Sequence, residues 1–162
     1  MQLLNLHMKN FKALIFVSIF SVTIGLIGFL NHNDNLIKPN SNLTAYQVLT
    51  IQLQSLKNNK KSKNNLGIVQ TYEFAHPENK KVTGPIQNFT KMMKSDVYSI
   101  LLNHNKTKVG IIHQDKFHEV YLIQVNKNNK TRTFVWTLIT YIDENKKPFW
   151  YTVNVIPYDK KI

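Results

Sequence analysis

Phe74-Ala75-His76-Pro77-Glu78-Asn79-Lys80-Lys81-Val82-Thr83-Gly84-Pro85-Ile86-Gln87-Asn88-Phe89-Thr90-Lys91-Met92-Met93 is the stretch that divides the chain into two kinds of sequence. It opens on an apolar lead-in, passes through a polar segment bounded by two prolines, and ends in a new amphipathic run. Pro77 fixes its own φ and biases the residues before it away from helix, so a helix entering from upstream should stop at Ala75-His76. His76 to Gly84 reads as a loop. Thr83-Gly84-Pro85 reads as a restart, with Pro85 at the first helical position and Thr83 or Gly84 capping it. Ile86, Phe89 and Met93 then recur at spacings of three and four, one face of a helix.

Upstream the pattern is helical. Thr44 and Gln47 have the spacing of a capping box, flanked by Leu43 and Val48 as a hydrophobic staple. Val48, Leu49, Ile51, Leu53 and Leu56 give a wide apolar face that should fail near Asn58. Asn58 to Asn65 reads as a solvated, charged connector. Leu66 to Ala75 is predicted as a second helix.

Downstream the period changes. Val97 to Leu102 is short and β-compatible. Lys108 to Gln114, Glu119 to Val125, Thr133 to Ile142 and Phe149 to Ile156 are rich in Val, Ile, Thr and aromatics, with turn residues between them. Phe134, Trp136 and Leu138 alternate onto one face. Phe149, Tyr151, Val153 and Val155 should share a face opposite Trp150, Thr152 and Asn154. Helices first and hairpin-linked strands after them predict an α+β domain, with helices on one side of a curved antiparallel sheet. Four or five strands wrapped around a helix enclose a cone, whose interior is either filled or left as a pocket.

The N-terminus carries a different signal. Ala13 to Leu30 is an uncharged apolar run of 18 residues, reaching ~27 Å as a helix against a ~30 Å hydrocarbon core. Lys9 and Lys12 precede it, and Asn31-His32-Asn33-Asp34-Asn35 follows without a basic residue. The positive-inside rule places residues 1–12 in the cytoplasm and the domain across the membrane, in a periplasm or lumen. We read 13–30 as an uncleaved signal anchor, 31–42 as a linker and 43–162 as the globular domain. A cleaved leader, with Thr23-Ile24-Gly25 as its weak processing site, is the alternative. Met8 is a second candidate start.

The chain has no cysteine, which excludes disulfides and thiolate metal sites. Its net charge is +12, yet Arg132 is the one arginine among 21 basic residues. Nucleic-acid sites favour the planar guanidinium, so no nucleic-acid partner is expected. The excess of Lys, Asn and Ile reads as compositional drift.

Ile51-Gln52-Leu53-Gln54-Ser55-Leu56, Asn58-Asn59, Phe74-Ala75-His76-Pro77-Glu78-Asn79, Thr83-Gly84-Pro85, Phe89, Met92 and Tyr98 stand in an order that resembles the domain-of-unknown-function 4864 family. That family looks like a branch of the nuclear transport factor two-like superfamily. The resemblance covers about Leu43 to Tyr158. It implies a cystatin-like cone of curved sheet with helices over its mouth, and it implies no activity. The family often has Ser at the position of His76.

The candidate pocket or family-motif residues are therefore His76, Pro77, Asn79, Thr83, Gly84, Pro85, Phe89, Tyr98 and Trp136. Asp96 with Tyr98 is the best acid/base pair, although packing explains Tyr98 more simply. Trp150, Tyr141 and Tyr151 are core or rim. His104, His113 and His118 lack helical metal-ligand spacing, and no carboxylate pair accompanies the last two, so no metal and no cofactor is expected. Phosphate loops and nucleophile elbows are absent. The expected function is a membrane-tethered binding or assembly module for a small apolar molecule, a protein partner or a second copy of itself. The alternative is an isomerase- or dehydratase-like enzyme using the cone pocket.

Overall fold

A computed structural model describes residues 36–142, 144 and 146–158. The apolar run 13–30 and the start of the linker lie outside these residues. Among the described residues no helix is long and apolar enough to cross a membrane.

Four helices precede four strands. Helix α1 spans Ala45–Lys57, α2 Leu66–Glu73, α3 Pro77–Thr83 and α4 Ile86–Met93. Strands β1 (Lys106–Gln114), β2 (His118–Lys127), β3 (Lys130–Ile142) and β4 (Pro148–Pro157) form one antiparallel meander in the order β1-β2-β3-β4. The α+β reading holds, with the helices packed on one face of the sheet.

Helix α1 starts as its sequence dictates. The Thr44 hydroxyl accepts from the Gln47 amide at 3.2 Å, and the Gln47 side chain accepts from the Thr44 amide at 2.8 Å. The box satisfies two of the free N–H groups of the first turn. Ala45, Val48, Leu49, Gln52 and Leu56 form its buried stripe. They pack on Tyr121, Ile123 and Val125 of β2 and Phe134, Trp136 and Leu138 of β3, all buried in one core. The strand register makes this possible. Tyr121 lies opposite Trp136 and Ile123 opposite Phe134, so the apolar sets of both strands share a face. Asn128 and Asn129, with φ of 48° and 64°, supply the left-handed turn between the two strands.

Five expectations need correction. The His76 to Gly84 segment is a helix, because His76 caps it and Pro77 sits at its first position, where a missing N–H costs nothing. Pro85 accordingly caps α4 from outside rather than opening it, and Thr83 ends α3. Val97 to Leu102 is a turn followed by a 3-10 turn at Ser99–Leu101. The Ser95 carbonyl captures the amides of Tyr98 and Ser99, which closes the backbone locally. The Asn58 to Asn65 connector is anchored, since buried Asn59 accepts from the Ile68 amide and the Asn103 side chain accepts from the Lys60 amide. The linker is bound from Ile37 on. The Gln70 amide group bonds both the N–H and the C=O of Ile37, at 2.7 and 2.8 Å.

The fifth correction concerns β4. Thr137 pairs with Asn154 but Leu138 pairs with Thr152, so β4 carries an extra residue. Such a bulge bends the strand and reverses its facing. Thr152, opposite Leu138, and Trp150, opposite Thr140, therefore point toward the core, and Val155 takes over beside Trp136. Simple alternation does not survive the bulge.

Helices α1 and α2 cross at Gly67. A Cβ there would lie 2.1 Å from the Ser55 carbonyl oxygen and 2.9 Å from the Asn59 side chain. Gly67→Ala should lower stability on the order of 3 kcal/mol despite its better helix propensity. Urea unfolding checks this, and an unchanged or raised midpoint would contradict the crossing.

Candidate functional site

Between the helical layer and the sheet lies a cavity of about 190 Å³. Its floor is Trp136 with Thr152 and Val155, and its helical walls include Phe89, Met92, Met93, Asn79 and Thr83. Tyr98 and Leu101 close one side. Of the nine residues singled out from the sequence, Asn79, Thr83, Phe89, Tyr98 and Trp136 line this cavity; His76, Pro77, Gly84 and Pro85 do not.

Those four build the walls instead. The His76 amide donates to the Thr152 carbonyl at 2.9 Å, and the Thr152 amide donates to the Phe74 carbonyl at 2.8 Å. Ala75 thus forms a parallel bridge with Thr152 on the outer edge of β4. This local pairing covers an edge that would otherwise be open. The His76 Nδ1 then accepts from the Glu78 amide at 3.2 Å and caps α3. One turn on, the Asn79 amide donates to the Val153 carbonyl at 2.6 Å, at the bulge. Bulged residues leave ladder groups unpaired, and Asn79 supplies the missing donor. Gly84 has φ of 73°, the left-handed turn between α3 and α4, and its carbonyl accepts from the Tyr72 hydroxyl at 2.9 Å. Pro85 follows as the α4 cap. The Ala-His-Pro and Thr-Gly-Pro elements are architectural parts of the cavity wall.

A buried polar relay crosses the floor. The Trp136 indole donates to Thr152 Oγ1 at 3.0 Å, Thr152 Oγ1 donates to Gln52 Oε1 at 2.7 Å, and Gln52 Nε2 donates to the Thr71 carbonyl at 3.1 Å. Every buried side-chain polar atom among the described residues has a partner. Met92, Met93, Phe89, Leu101 and Val155 make up the apolar remainder of the lining. No family model, curated protein or solved structure matches this chain.

The Asp96–Tyr98 pair does not assemble. Asp96 is exposed and its carbonyl accepts from Arg132, while the Tyr98 hydroxyl donates to the Val155 carbonyl at 3.1 Å. The Tyr98 ring stacks on Phe134 with centroids 6.1 Å apart. Packing accounts for it. The histidines are dispersed. Buried His104 donates from Nδ1 to the Leu101 carbonyl, and burial depresses its pKa against the pull of that bond. His113 and His118 meet a single carboxylate across the turn: Asp115 lies 2.9 and 3.5 Å from them. The His113 bond, then the amides of Phe117 and His118, hold Asp115 well below the usual carboxylate range. This cluster is an exposed hairpin turn. Among the described residues no group of three or more His, Asp or Glu side chains could hold a metal ion.

Sequence reasoning missed Gln52 and Thr152. Gln52 carried a signal, because it sits on the apolar stripe between Leu49 and Leu56 where only a partnered polar group belongs. Thr152 carried none, since the bulge alone turns it inward.

Thr152→Val keeps the shape of the side chain but strands both the Trp136 N–H and the Gln52 carbonyl. The expected loss is on the order of 3 kcal/mol, with Thr152→Ser costing less than half as much. Denaturant unfolding of the two variants checks this, and a loss in Thr152→Val no larger than that in Thr152→Ser would contradict the relay.

Proposed function

We propose that this chain is a membrane-tethered binding module of the nuclear transport factor two-like type, whose cavity takes a small apolar molecule. The composition of the cavity wall carries the reading. Among the described residues its lining holds no carboxylate, imidazole or amine, and the one ionisable group there, Tyr98, has its hydroxyl committed to the Val155 carbonyl. An acid/base enzyme needs a positioned group free to move a proton. The isomerase or dehydratase alternative lacks support at this cavity. Its volume is close to that of an apolar protein cavity of about 150 Å³ that takes benzene, which sets the size of the guest.

The cone reading draws support from the bulges in β1 and β4, which bend a meander toward its helices. The Ala75-His76-Pro77 and Thr83-Gly84-Pro85 elements that suggest the family find their use as cavity wall. The tether rests on the run 13–30 and its basic N-terminal flank, which orient the domain toward a periplasm or lumen. The uncovered sheet face, where Leu122, Val135 and Ile156 stand in one cross-strand row, is the surface offered to a protein partner or a second copy.

Two measurements test the proposal. Membranes bearing the chain should retain it through alkaline carbonate extraction, and release into the supernatant would remove the tether. Indole at ten times its dissociation constant should stabilise the protein by roughly 1.4 kcal/mol. Met92→Trp, which fills the cavity, should abolish that gain, and Tyr98→Phe should keep it. Equal responses from wild type and Met92→Trp would refute the cavity as the binding site.

A further inference from the structure

A second concavity lies on the opposite side of the core, along β1. It is a groove of about 500 Å³ lined by Thr44, Tyr46, Val109, Ile111, Gln114, Glu119 and Tyr121. Strand β1 is an edge strand whose Val109 and Ile111 are register partners of buried Ile123 and Tyr121. They belong to the core face of the sheet, yet they are 39% and 53% exposed. Helix α1 reaches only as far as Tyr46, whose ring lies 6.2 Å from that of Tyr121.

Glu119 makes this groove more than an uncovered apolar surface. Its side chain points to the core face, in register with Leu138, and the residue is 8% exposed. The Gln114 amide donates to one carboxylate oxygen at 3.0 Å, and the Tyr121 hydroxyl donates to the other. Burial raises the Tyr121 phenol pKa well above its ordinary value, and the adjoining carboxylate adds to that, so the phenol remains a donor. The ion pairs among the described residues use Glu73, Glu78 and Asp115, and none uses Glu119. Among the described residues the most buried acid is in none of the ion pairs, although the net charge of the chain is +12.

We propose that this groove binds a small primary alkylammonium ion, with the ammonium on Glu119 and the alkyl chain along Val109 and Ile111. An ionised carboxylate offers about four acceptor sites, of which the two neutral donors occupy two. The remaining sites suit N–H donors of an ammonium, in a charge-assisted bond that also answers the cost of a buried unpaired charge. The Tyr46 and Tyr121 rings provide faces for the cation. The volume falls within the range of about 300–1,000 Å³ typical of small-ligand sites. The site is separate from the Trp136 cavity, so either can fail without the other.

The probe is n-hexylammonium chloride, titrated into the full chain and followed by amide shifts of Val109, Ile111 and Tyr121, with 1-hexanol as the uncharged control. Hexylammonium should saturate these shifts and bind roughly tenfold or more tighter than hexanol. Glu119→Gln should lose roughly tenfold in affinity for hexylammonium and leave hexanol unchanged. Tyr46 is 56% exposed, so Tyr46→Leu should fold normally and weaken hexylammonium several-fold. That variant keeps the test open if Glu119→Gln fails to fold. Equal binding of hexanol and hexylammonium, full affinity in Glu119→Gln or Tyr46→Leu, or no saturation would each overturn the proposal.

Discussion

Thr152 is the point at which the two layers of this protein become one. Its backbone exchanges hydrogen bonds with Phe74 and His76, its hydroxyl joins Trp136 of the neighbouring strand to Gln52 of α1, and its carbonyl also faces the Asn79 amide. Helical layers usually sit on sheets through apolar contact, which fixes distance but tolerates sliding. Here directional bonds fix the register of helix against strand. The energetic reason is the asymmetry of buried hydrogen bonds: each contributes modestly when made, and costs much more when one partner is left alone in the core. A small slip of α1 would strand several groups at once.

The same junction holds the cavity open. Side chains collapse into space unless the elements around it are held apart. The bulge at Val153 turns β4, Asn79 clamps the bulge, and Gly84 with Pro85 returns the chain so that α4 forms the far wall. Phe89 packs on Tyr72 with ring centroids 5.1 Å apart, and the Tyr72 hydroxyl holds the Gly84 carbonyl. The cavity is thus bounded by groups whose polar capacity is already engaged. The groove along β1 differs in kind, with its buried acid held by neutral donors and open to solvent on the strand edge.

Much of this was legible in the residues. The Thr44–Gln47 box marked the start of α1, and the Val/Ile/Thr-rich runs marked all four strands, because local spacing and local bonds decide both. Five lining residues of the cavity were named in advance, since motif positions and alternate strand faces converge there. What escaped detection depends on tertiary partners. A seven-residue helix between two prolines looks like a loop until His76 is seen to cap it. Val97 to Leu102 has strand composition, but local turns and the burial of Leu101 and Leu102 hold it elsewhere. The β4 bulge lies beyond any period-two pattern, and with it went the inward role of Thr152. Nothing in the sequence singles out Glu119, because register alone places it in the core.

Native-state hydrogen exchange tests the junction most directly. Amides that open only with the whole molecule exchange at the rate set by global unfolding, whereas those in locally fraying units exchange faster. The Thr152 and His76 amides, bonded across the two layers, should be as protected as those of Ile123 and Phe134 in the sheet centre. They should also outlast the free-edge amides of β1 by orders of magnitude. Exchange of Thr152 and His76 at the rate of the β1 edge would mean that the helices leave the sheet before it melts, and that the two layers are not pinned there.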